Sequence, residues 1–133
     1  MDWQRSTHAN SAPYSVLVVE DDVETASFLH RYLGRRGYEV RVAGSVRDAL
    51  KKLEEKPCDA LVSDINLPDG TGWDIMAKAK LPEKVYALTI SGFAQAVVGS
   101  ASIAAGFKGH LTKPFSPNDL LHLLQAAQRS AGG

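Results

Sequence analysis

Five side chains that could do chemistry each stand where an apolar segment of strand length gives way to a turn: Glu20, Asp21, Asp64, Ser91 and Lys113. Three carboxylates that meet in one crevice repel one another unless a cation neutralises them, so the acids predict a metal site. The set offers only oxygen ligands, which favours a hard ion such as Mg²⁺ over Zn²⁺. The amine of Lys113 adds a positive charge suited to a phosphate oxygen. Together they predict a site that can receive a phosphoryl group.

Strand-like and helix-like segments alternate along the chain and must position these side chains. The run 16–19 is continuously β-branched or aliphatic, which is typical of a strand covered on both faces. Ser45 is a suitable N-cap, and Ser116 followed by Pro117 is a typical helix start. The pattern predicts strands at 16–19, 38–43, 60–62, 85–90 and 107–111, and helices at 23–33, 46–53, 73–79, 94–105 and from 117 onward.

Alternation at this spacing predicts an α/β fold, because parallel strands joined by right-handed crossovers form a doubly wound five-stranded sheet with helices on both faces. In such a sheet every strand delivers its C-terminal end to the same edge. The five side chains are therefore expected to converge there from four separate segments. Asp64 alone is more simply explained as a residue that caps a turn. A role in a functional site is favoured because the other polar side chains also lie at strand ends.

The composition limits the class of protein. At 133 residues the chain suits one domain, and we expect a flexible N-terminal tail at 1–14, a folded domain at 15–129 and a C-terminal tail at 130–133. Fifteen basic residues balance fifteen acidic ones, which gives no electrostatic basis for binding nucleic acid or an anionic membrane. Cys58 is the only cysteine, which excludes an internal disulfide and favours a reducing cytoplasm. No apolar run approaches membrane-spanning length.

Four motifs together resemble the receiver domain of two-component response regulators. Each is weak alone, but they fall in order at fitting spacings, and the resemblance covers about residues 15–127. The motifs are Val18-Val19-Glu20-Asp21, Asp64-Ile65-Asn66-Leu67-Pro68 with Gly72, Ser91-Gly92 and Lys113-Pro114-Phe115. The resemblance implies a flavodoxin-like sheet with strand order 2-1-3-4-5.

The resemblance implies that Asp64 is a phosphoacceptor for a phosphohistidine on a sensor histidine kinase or a histidine phosphotransfer protein. Asp21 and Asp64 would ligate Mg²⁺ together with the backbone carbonyl of Asn66, and Glu20 would act through a bound water. A chain of this kind is a signalling domain rather than an enzyme, since it takes part only in its own phosphorylation and dephosphorylation.

The resemblance also places a switch beside the acceptor. Ser91 and Lys113 would hold the phosphoryl oxygens, and the Lys113-Pro114 bond resembles the cis peptide of the family. Ser91 is preferred to Thr89 as the switch hydroxyl because it keeps the better spacing to Lys113. His110 stands where many receivers carry a Tyr or Phe whose rotation reports phosphorylation. It is interpreted either as that switch residue or as a strand residue with its ring at the surface.

The partner surface is expected on the fourth helix, the fifth strand and the fifth helix. In the last helix Leu120 and Leu124 belong to the predicted core stripe, which leaves Leu121 on the outside. With Phe93 and one of the two valines at 97–98, Leu121 would form an apolar patch for an output protein or a second copy of the chain.

A second interpretation keeps the doubly wound fold but makes the chain a Mg²⁺-dependent phosphatase that uses Asp64 as nucleophile. In such enzymes the residue two positions later is usually an acid that donates a proton, and here it is Asn66. Flavin binding is a weaker hypothesis, because no Gly-rich phosphate loop follows the first strand. Acetyl phosphate with Mg²⁺ separates the first two, since a receiver gains one phosphoryl group whereas a phosphatase turns over.

Overall fold

The computed structural model describes residues 13–92 and 95–132, except for the side chains of 95–98 and 131–132. Its strands are β1 Ser15–Val19, β2 Glu39–Ala43, β3 Ala60–Asp64, β4 Asn66–Leu67, β5 Gly70–Thr71, β6 Tyr86–Ser91 and β7 Gly109–Thr112. Its helices are α1 Val23–Gly34, α2 Val46–Glu55, α3 Gly72–Ala79, α4 Gln95–Ala105 and α5 Pro117–Gly132. Within these ranges no helix is both long enough and apolar enough to cross a lipid bilayer.

Five strands form a parallel sheet in the order β2-β1-β3-β6-β7. Because β4 and β5 pair only with each other, as an antiparallel hairpin, this order is equivalent to 2-1-3-4-5. The predicted doubly wound, flavodoxin-like fold is therefore confirmed. The register pairs Val19 with Ser63, Ser63 with Thr89 and Ser91 with Thr112, so the carboxyl ends of the strands share one edge.

Capping side chains fix where the helices begin, because the first backbone N–H groups of a helix have no partner within it. Ser45 Oγ accepts a hydrogen bond of 3.0 Å from the first turn of α2, and Ser116 Oγ accepts one of 3.2 Å from that of α5. Both residues were predicted as N-caps from the sequence. Thr71 and Asp74 form a reciprocal capping box at the start of α3, immediately after the hairpin.

The sheet is covered on both faces, which explains the continuous apolar runs in its central strands. Val16 and Val18 face a core shared with α1 and α5. Leu17 and Val19 face a second core, which is shared with α2 and α3. Successive residues of β1 are all buried because each face of the strand meets one of these two cores.

A hydrogen bond joins α3 to α4 on the second face of the sheet. Trp73 Nε1 donates to Ser102 Oγ over 3.0 Å. Ser102 is only 3% exposed, so this contact supplies a partner to a hydroxyl that burial removes from water. The position of α4 is therefore tied to a specific indole group of α3.

The prediction that Leu121 lies on the outside of the last helix is wrong. Leu121 is 9% exposed and belongs to the core beneath α5, together with Leu120 and Leu124. Two neighbouring leucines are both buried because α5 packs against α1 as well as against the sheet, so its apolar face is wider than a single stripe. The other members of the predicted apolar patch, Phe93 and the side chains of 97–98, lie outside the described residues.

The predicted tails adjoin the described residues at both ends. Residues 1–12 of the predicted N-terminal tail lie outside the described residues, but Tyr14 packs edge-on against Tyr38, with 6.0 Å between the ring centroids. The carbonyl of Tyr14 also accepts a hydrogen bond of 3.0 Å from the N–H of Glu39. At the other end α5 continues through Gly132, so residues 130–132 belong to that helix.

Candidate functional site

All five predicted site residues lie at the carboxyl edge of the sheet. Glu20 and Asp21 follow β1, Asp64 ends β3, Ser91 ends β6 and Lys113 follows β7. Glu20 and Lys113 are in hydrogen-bond contact although 93 positions separate them in the sequence. The fold therefore brings together the side chains that the sequence analysis selected.

Lys113 is the positive centre of this group. Its Nζ donates hydrogen bonds to Asp64 Oδ2 at 2.7 Å and to Glu20 Oε1 at 3.2 Å. Both acids are buried, with exposures of 7% for Asp64 and 4% for Glu20. Since a buried carboxylate is costly without a charged partner, the lysine is what makes this pair tolerable. An ammonium offers three N–H donors, enough for both carboxylates and one further acceptor.

The acidic cluster has the composition and spacing of a cation site. Glu20, Asp21 and Asp64 each place one carboxylate oxygen within 4.8 Å of the others. Oxygens bound to one octahedral Mg²⁺ at about 2.1 Å stand roughly 3 to 4 Å apart, so small side-chain rotations suffice. Three formal negative charges face one positive amine, and the excess charge is what a divalent cation neutralises. The donor set is entirely oxygen, which fits a hard ion.

The electrostatics of the cluster follow from burial and from the lysine. Burial raises the pKa of the Glu20 carboxyl and the charge of Asp64 adds to the rise, although the N–H of Asp22 and the ammonium of Lys113 oppose it. Burial by itself would lower the pKa of Lys113, but the hydrogen bond with Asp64 and the charges of both acids outweigh it and raise the pKa. The amine therefore stays charged at neutral pH, while the ionised form of Glu20 is disfavoured.

We expect Glu20→Gln to raise the stability of the metal-free protein at neutral pH. The folded-state pKa of Glu20 lies above its ordinary value, so the folded state binds the proton more tightly and ionised Glu20 opposes folding above that pKa. The penalty fades as the pH falls through the folded-state pKa, and the advantage of glutamine should shrink with it. Urea unfolding in EDTA, at neutral and at mildly acidic pH, measures both effects.

The matched control for this experiment is Glu54→Gln, because Glu54 is exposed on α2 and far from the cluster. It should change stability little at either pH. A wild-type protein that is more stable than Glu20→Gln at neutral pH would contradict the electrostatic account of this site.

The segment after β3 orients the Asp64 carboxylate. The N–H of Asn66 donates to Asp64 Oδ1 at 3.2 Å, so that one carboxylate oxygen meets the backbone and the other meets Lys113. The N–H of Gly72 donates to the carbonyl of Ile65 at 2.9 Å, which folds the hairpin back onto the end of β3. The β4–β5 hairpin therefore helps to hold the Asp64 carboxylate in place.

Ser91 lies beside the lysine at the ends of β6 and β7. It is 1% exposed, and its carbonyl accepts a hydrogen bond of 2.7 Å from the N–H of Lys113. The Lys113–Pro114 peptide bond is cis, as the family resemblance implied. The serine and the lysine are therefore joined through the backbone.

His110 stands between two threonine hydroxyls. Thr89 Oγ1 lies 2.8 Å from His110 Nδ1, and Thr112 Oγ1 lies 3.2 Å from His110 Nε2. From the sequence, Thr89 was an alternative switch hydroxyl only, and Thr112 was not predicted to belong to the site. The available signal was the period of two along a strand, which places residues 110 and 112 on the same face of β7.

Fold and site together define a class: α/β proteins whose doubly wound sheet carries an acidic cluster and a lysine at its carboxyl edge. The sequence profile of the response regulator receiver domain matches residues 16–125. The chain therefore belongs to the receiver domain family of two-component response regulators, which is a family of signalling domains.

Curated relatives agree with this membership. An uncharacterised 14.6 kDa protein of Leptolyngbya boryana is 33% identical over 117 residues, which cover 86% of this chain and 89% of that protein. The transcriptional regulatory protein GltR of Pseudomonas aeruginosa is 31% identical over 123 residues, which cover 88% of this chain and 50% of that protein. The chain thus spans about half the length of several curated relatives that it matches.

Solved structures share the fold. A receiver domain protein from Methanospirillum hungatei superposes with a TM-score of 0.85 at 28% identity, covering 90% of this chain and 97% of that one. The chemotaxis response regulator CheY4 of Vibrio cholerae superposes with a TM-score of 0.80 at 29% identity, covering 86% and 98%. The similarity therefore extends over nearly the whole length of these receivers.

Proposed function

We propose that this receiver domain accepts a phosphoryl group on Asp64 from a phosphohistidine of a sensor histidine kinase or a histidine phosphotransfer protein, with Mg²⁺ as cofactor. One observation carries the proposal: Lys113 Nζ lies 2.7 Å from Asp64 Oδ2, beside a cluster of three carboxylates. A nucleophilic oxygen, a set of metal-binding oxygens and a fixed positive charge then meet at one point of the sheet edge.

Transfer to Asp64 produces a mixed anhydride. One oxygen of the Asp64 carboxylate forms a bond to phosphorus while the P–N bond to the donor imidazole breaks, and the electron pair of that bond stays on the imidazole nitrogen. Negative charge is spread over the three equatorial oxygens during the transfer, and Lys113 is placed to hold one of them. The protein contributes chiefly position and charge, which is what phosphoryl transfer requires.

Glu20, Asp21, Asp64 and the backbone carbonyl of Asn66 are the groups that would hold Mg²⁺, with Glu20 acting through a bound water. When bound, the ion supplies the positive charge that neutralises the carboxylates and the phosphoryl oxygens. Asp21 is exposed whereas the other two acids are buried, so its carboxylate faces the solvent from which an ion enters.

Ser91 and His110 couple phosphorylation of Asp64 to a change at the protein surface. The Ser91 hydroxyl donates to the phosphoryl group once it is present, and this ligand-dependent contact biases the loop after β6 between two positions. Movement of this loop and of His110 reshapes the face made by α4, β7 and α5, which binds an output protein or a second copy of the chain. Leu121 is buried and takes no part, whereas Ile103 of α4 is 70% exposed.

The balanced charge of the chain does not support nucleic acid or a membrane as a direct partner, so the partners are proteins. The buried free thiol of Cys58 suits a reducing cytoplasm. The transcriptional role in the name of GltR belongs to that protein, of which this chain covers half.

Incubation with acetyl phosphate and Mg²⁺ tests the proposal directly. Intact-mass measurement should show one added phosphoryl group on the wild-type protein and none when EDTA removes the metal. Continuous release of inorganic phosphate over many turnovers, without a lasting adduct, would contradict the receiver function and identify a phosphatase instead.

The phosphorylated protein should lose its phosphoryl group slowly, over minutes or longer. Hydrolysis needs a water aligned with phosphorus, and Asn66 offers an amide rather than a general base. Phe93, the other residue that flanks this path in similar receivers, is apolar and lies outside the described residues. The decay of the adduct after removal of acetyl phosphate measures the lifetime. Asn66→Ala should lengthen it further, and a wild-type half-life of a few seconds would contradict the prediction.

A further inference from the structure

Thr89, His110 and Thr112 form a hydrogen-bonded set that phosphoryl transfer does not use, called here the threonine clamp. Its two contacts are Thr89 Oγ1 to His110 Nδ1 at 2.8 Å and Thr112 Oγ1 to His110 Nε2 at 3.2 Å. Both ring nitrogens are engaged, one by a hydroxyl in the core and one by a hydroxyl at the surface, since Thr89 is 0% exposed and Thr112 is exposed. The ring is therefore held from two sides.

The clamp lies immediately beneath the proposed switch hydroxyl. The register of β6 and β7 pairs Thr89 with His110 and Ser91 with Thr112. Residues two apart on a strand, and residues paired between parallel strands, project from the same face of the sheet. The clamp therefore shares a face with Ser91, and its last member immediately precedes Lys113.

Moving the His110 ring away from this position has a cost that falls mainly on Thr89. Its hydroxyl would keep only the carbonyl of Gly109, which is 3.4 Å away and at the limit of hydrogen bonding. A buried hydroxyl without a good partner is destabilising. The contact with Thr89 therefore favours the ring position seen in the unphosphorylated chain.

The clamp does not depend on which ring nitrogen of His110 carries the hydrogen. A threonine hydroxyl can donate or accept, whereas a neutral imidazole has one donor and one acceptor. When Nε2 carries the hydrogen, the Thr89 hydroxyl donates to Nδ1 and the Thr112 hydroxyl accepts from Nε2. When Nδ1 carries it, the Thr89 hydroxyl accepts from Nδ1 and the Thr112 hydroxyl donates to Nε2. Both contacts survive in either form, so the ring stays held.

We propose that the threonine clamp holds His110 in its unphosphorylated position, with Thr89 as the positioning residue, and so sets how readily phosphorylation switches the α4, β7 and α5 face. This inference rests on the proposed function, because it assigns a bias to a proposed switch residue. Removing the Thr89 hydroxyl weakens the bias and shifts the unphosphorylated population toward the switched state.

Thr89→Val tests the clamp, with nuclear magnetic resonance of the His110 ring as the readout. The ring is observed in the metal-free protein and during titration with beryllium fluoride and Mg²⁺, an unreactive mimic of the phosphoryl group. In Thr89→Val the metal-free ring resonances should move toward those of the wild type saturated with beryllium fluoride. The half-saturating concentration should fall about fivefold, which corresponds to the loss of one net hydrogen bond.

Two control variants separate positioning from packing. Thr89→Ser keeps the hydroxyl and should restore the wild-type resonances and half-saturation. Ser15→Ala removes a buried hydroxyl at the opposite end of the sheet, where Ser15 Oγ has no hydrogen-bond partner among the described residues, and should match the wild type. A Thr89→Ser protein that behaves like Thr89→Val would overturn the role of the hydroxyl.

The possible failures are distinguishable. A wild type that responds to beryllium fluoride while Thr89→Val stays at wild-type values overturns the clamp alone. A wild type that takes up a phosphoryl group from acetyl phosphate but whose His110 ring does not respond to beryllium fluoride overturns the switch role of His110 and the clamp with it. A wild type that takes up no phosphoryl group overturns the proposed function itself. If Thr89→Val does not fold, Thr112→Val tests the exposed contact, where a shift in the same direction is expected and its absence overturns the proposal.

Discussion

Replacing Asp64 with asparagine is expected to abolish the incorporation of a phosphoryl group from acetyl phosphate. An amide oxygen is a far weaker nucleophile than a carboxylate, and no other described carboxylate shares its contact with both Lys113 and the N–H of Asn66. The change preserves size and removes one negative charge next to the lysine. Intact-mass measurement after incubation with acetyl phosphate and Mg²⁺ gives the result directly.

Two further variants show what the loss of labelling means. Asp48→Asn makes the same chemical change on α2, where the Asp48 carboxylate pairs with Lys52 of the same helix, and should label like the wild type. Asp21→Ala should label weakly and recover as the Mg²⁺ concentration rises, because it removes a metal ligand and not the acceptor. Robust labelling of Asp64→Asn would place the acceptor elsewhere.

Gly72→Ala is expected to destabilise the fold by about 1–3 kcal/mol, although alanine is the better helix former. A Cβ at Gly72 would stand 2.8 Å from the backbone carbonyl oxygen of Asp64 and 3.1 Å from Ser63 Oγ. The carbonyl belongs to β3 and cannot yield without moving the acceptor strand. The gain in helix propensity is only about 0.5–1 kcal/mol, so the steric clash outweighs it and the substitution lowers stability. Urea unfolding measures the difference.

Gly34→Ala is the matched control for this substitution. Gly34 ends α1, and a Cβ there would meet no atom within 4 Å. The change should leave stability equal or slightly higher, because the unfolded chain loses freedom while nothing clashes. Equal stability of Gly72→Ala and the wild type would mean that the end of β3 moves aside at little cost. Labelling of Asp64 in Gly72→Ala should then also remain normal.

Much of the fold could be predicted because its determinants are local. The run 16–19 is β1 without its first residue, since a strand covered on both faces carries no polar interruption. Ser45 and Ser116 mark helix starts because an N-cap acts within one turn. The convergence of the acids and Lys113 needed no more than the rule that parallel strands end at a common edge.

The parts that could not be predicted depend on neighbours that are distant in the sequence. Leu121 is buried in the core that α5 shares with the sheet and with α1, whereas the pattern of α5 describes that helix alone. The β4–β5 hairpin consists of two-residue strands, which are too short to show alternation. The contact between Thr89 and His110 exists only once the register of β6 and β7 is known. No local pattern supplies that register.

The capping of α2 by Asp69 is another contact that could not be predicted from the local sequence. Its sequence context, between Pro68 and Gly70, indicates a turn and nothing more. In the structure its carboxylate accepts the N–H of Val46 at 2.7 Å and that of Arg47 at 3.0 Å, and so caps α2 from another part of the chain. The hydrogen bonds from Arg47 and Val46 lower the pKa of Asp69. When a distant loop supplies the capping residue, the sequence around the start of the helix does not indicate it.

The hydrogen bond from Trp73 to Ser102 gives the molecule an optical reporter. Indole emission responds to hydrogen bonding and to contact with water, and Trp73 binds directly to α4, one of the elements of the proposed output face. Trp3 is the other tryptophan of the chain, and Trp3→Phe removes its contribution to the spectrum. In that variant a displacement of α4 that breaks the hydrogen bond changes the emission wavelength or the intensity of Trp73 fluorescence. The rate of switching can then be followed by stopped-flow fluorescence without attaching any dye.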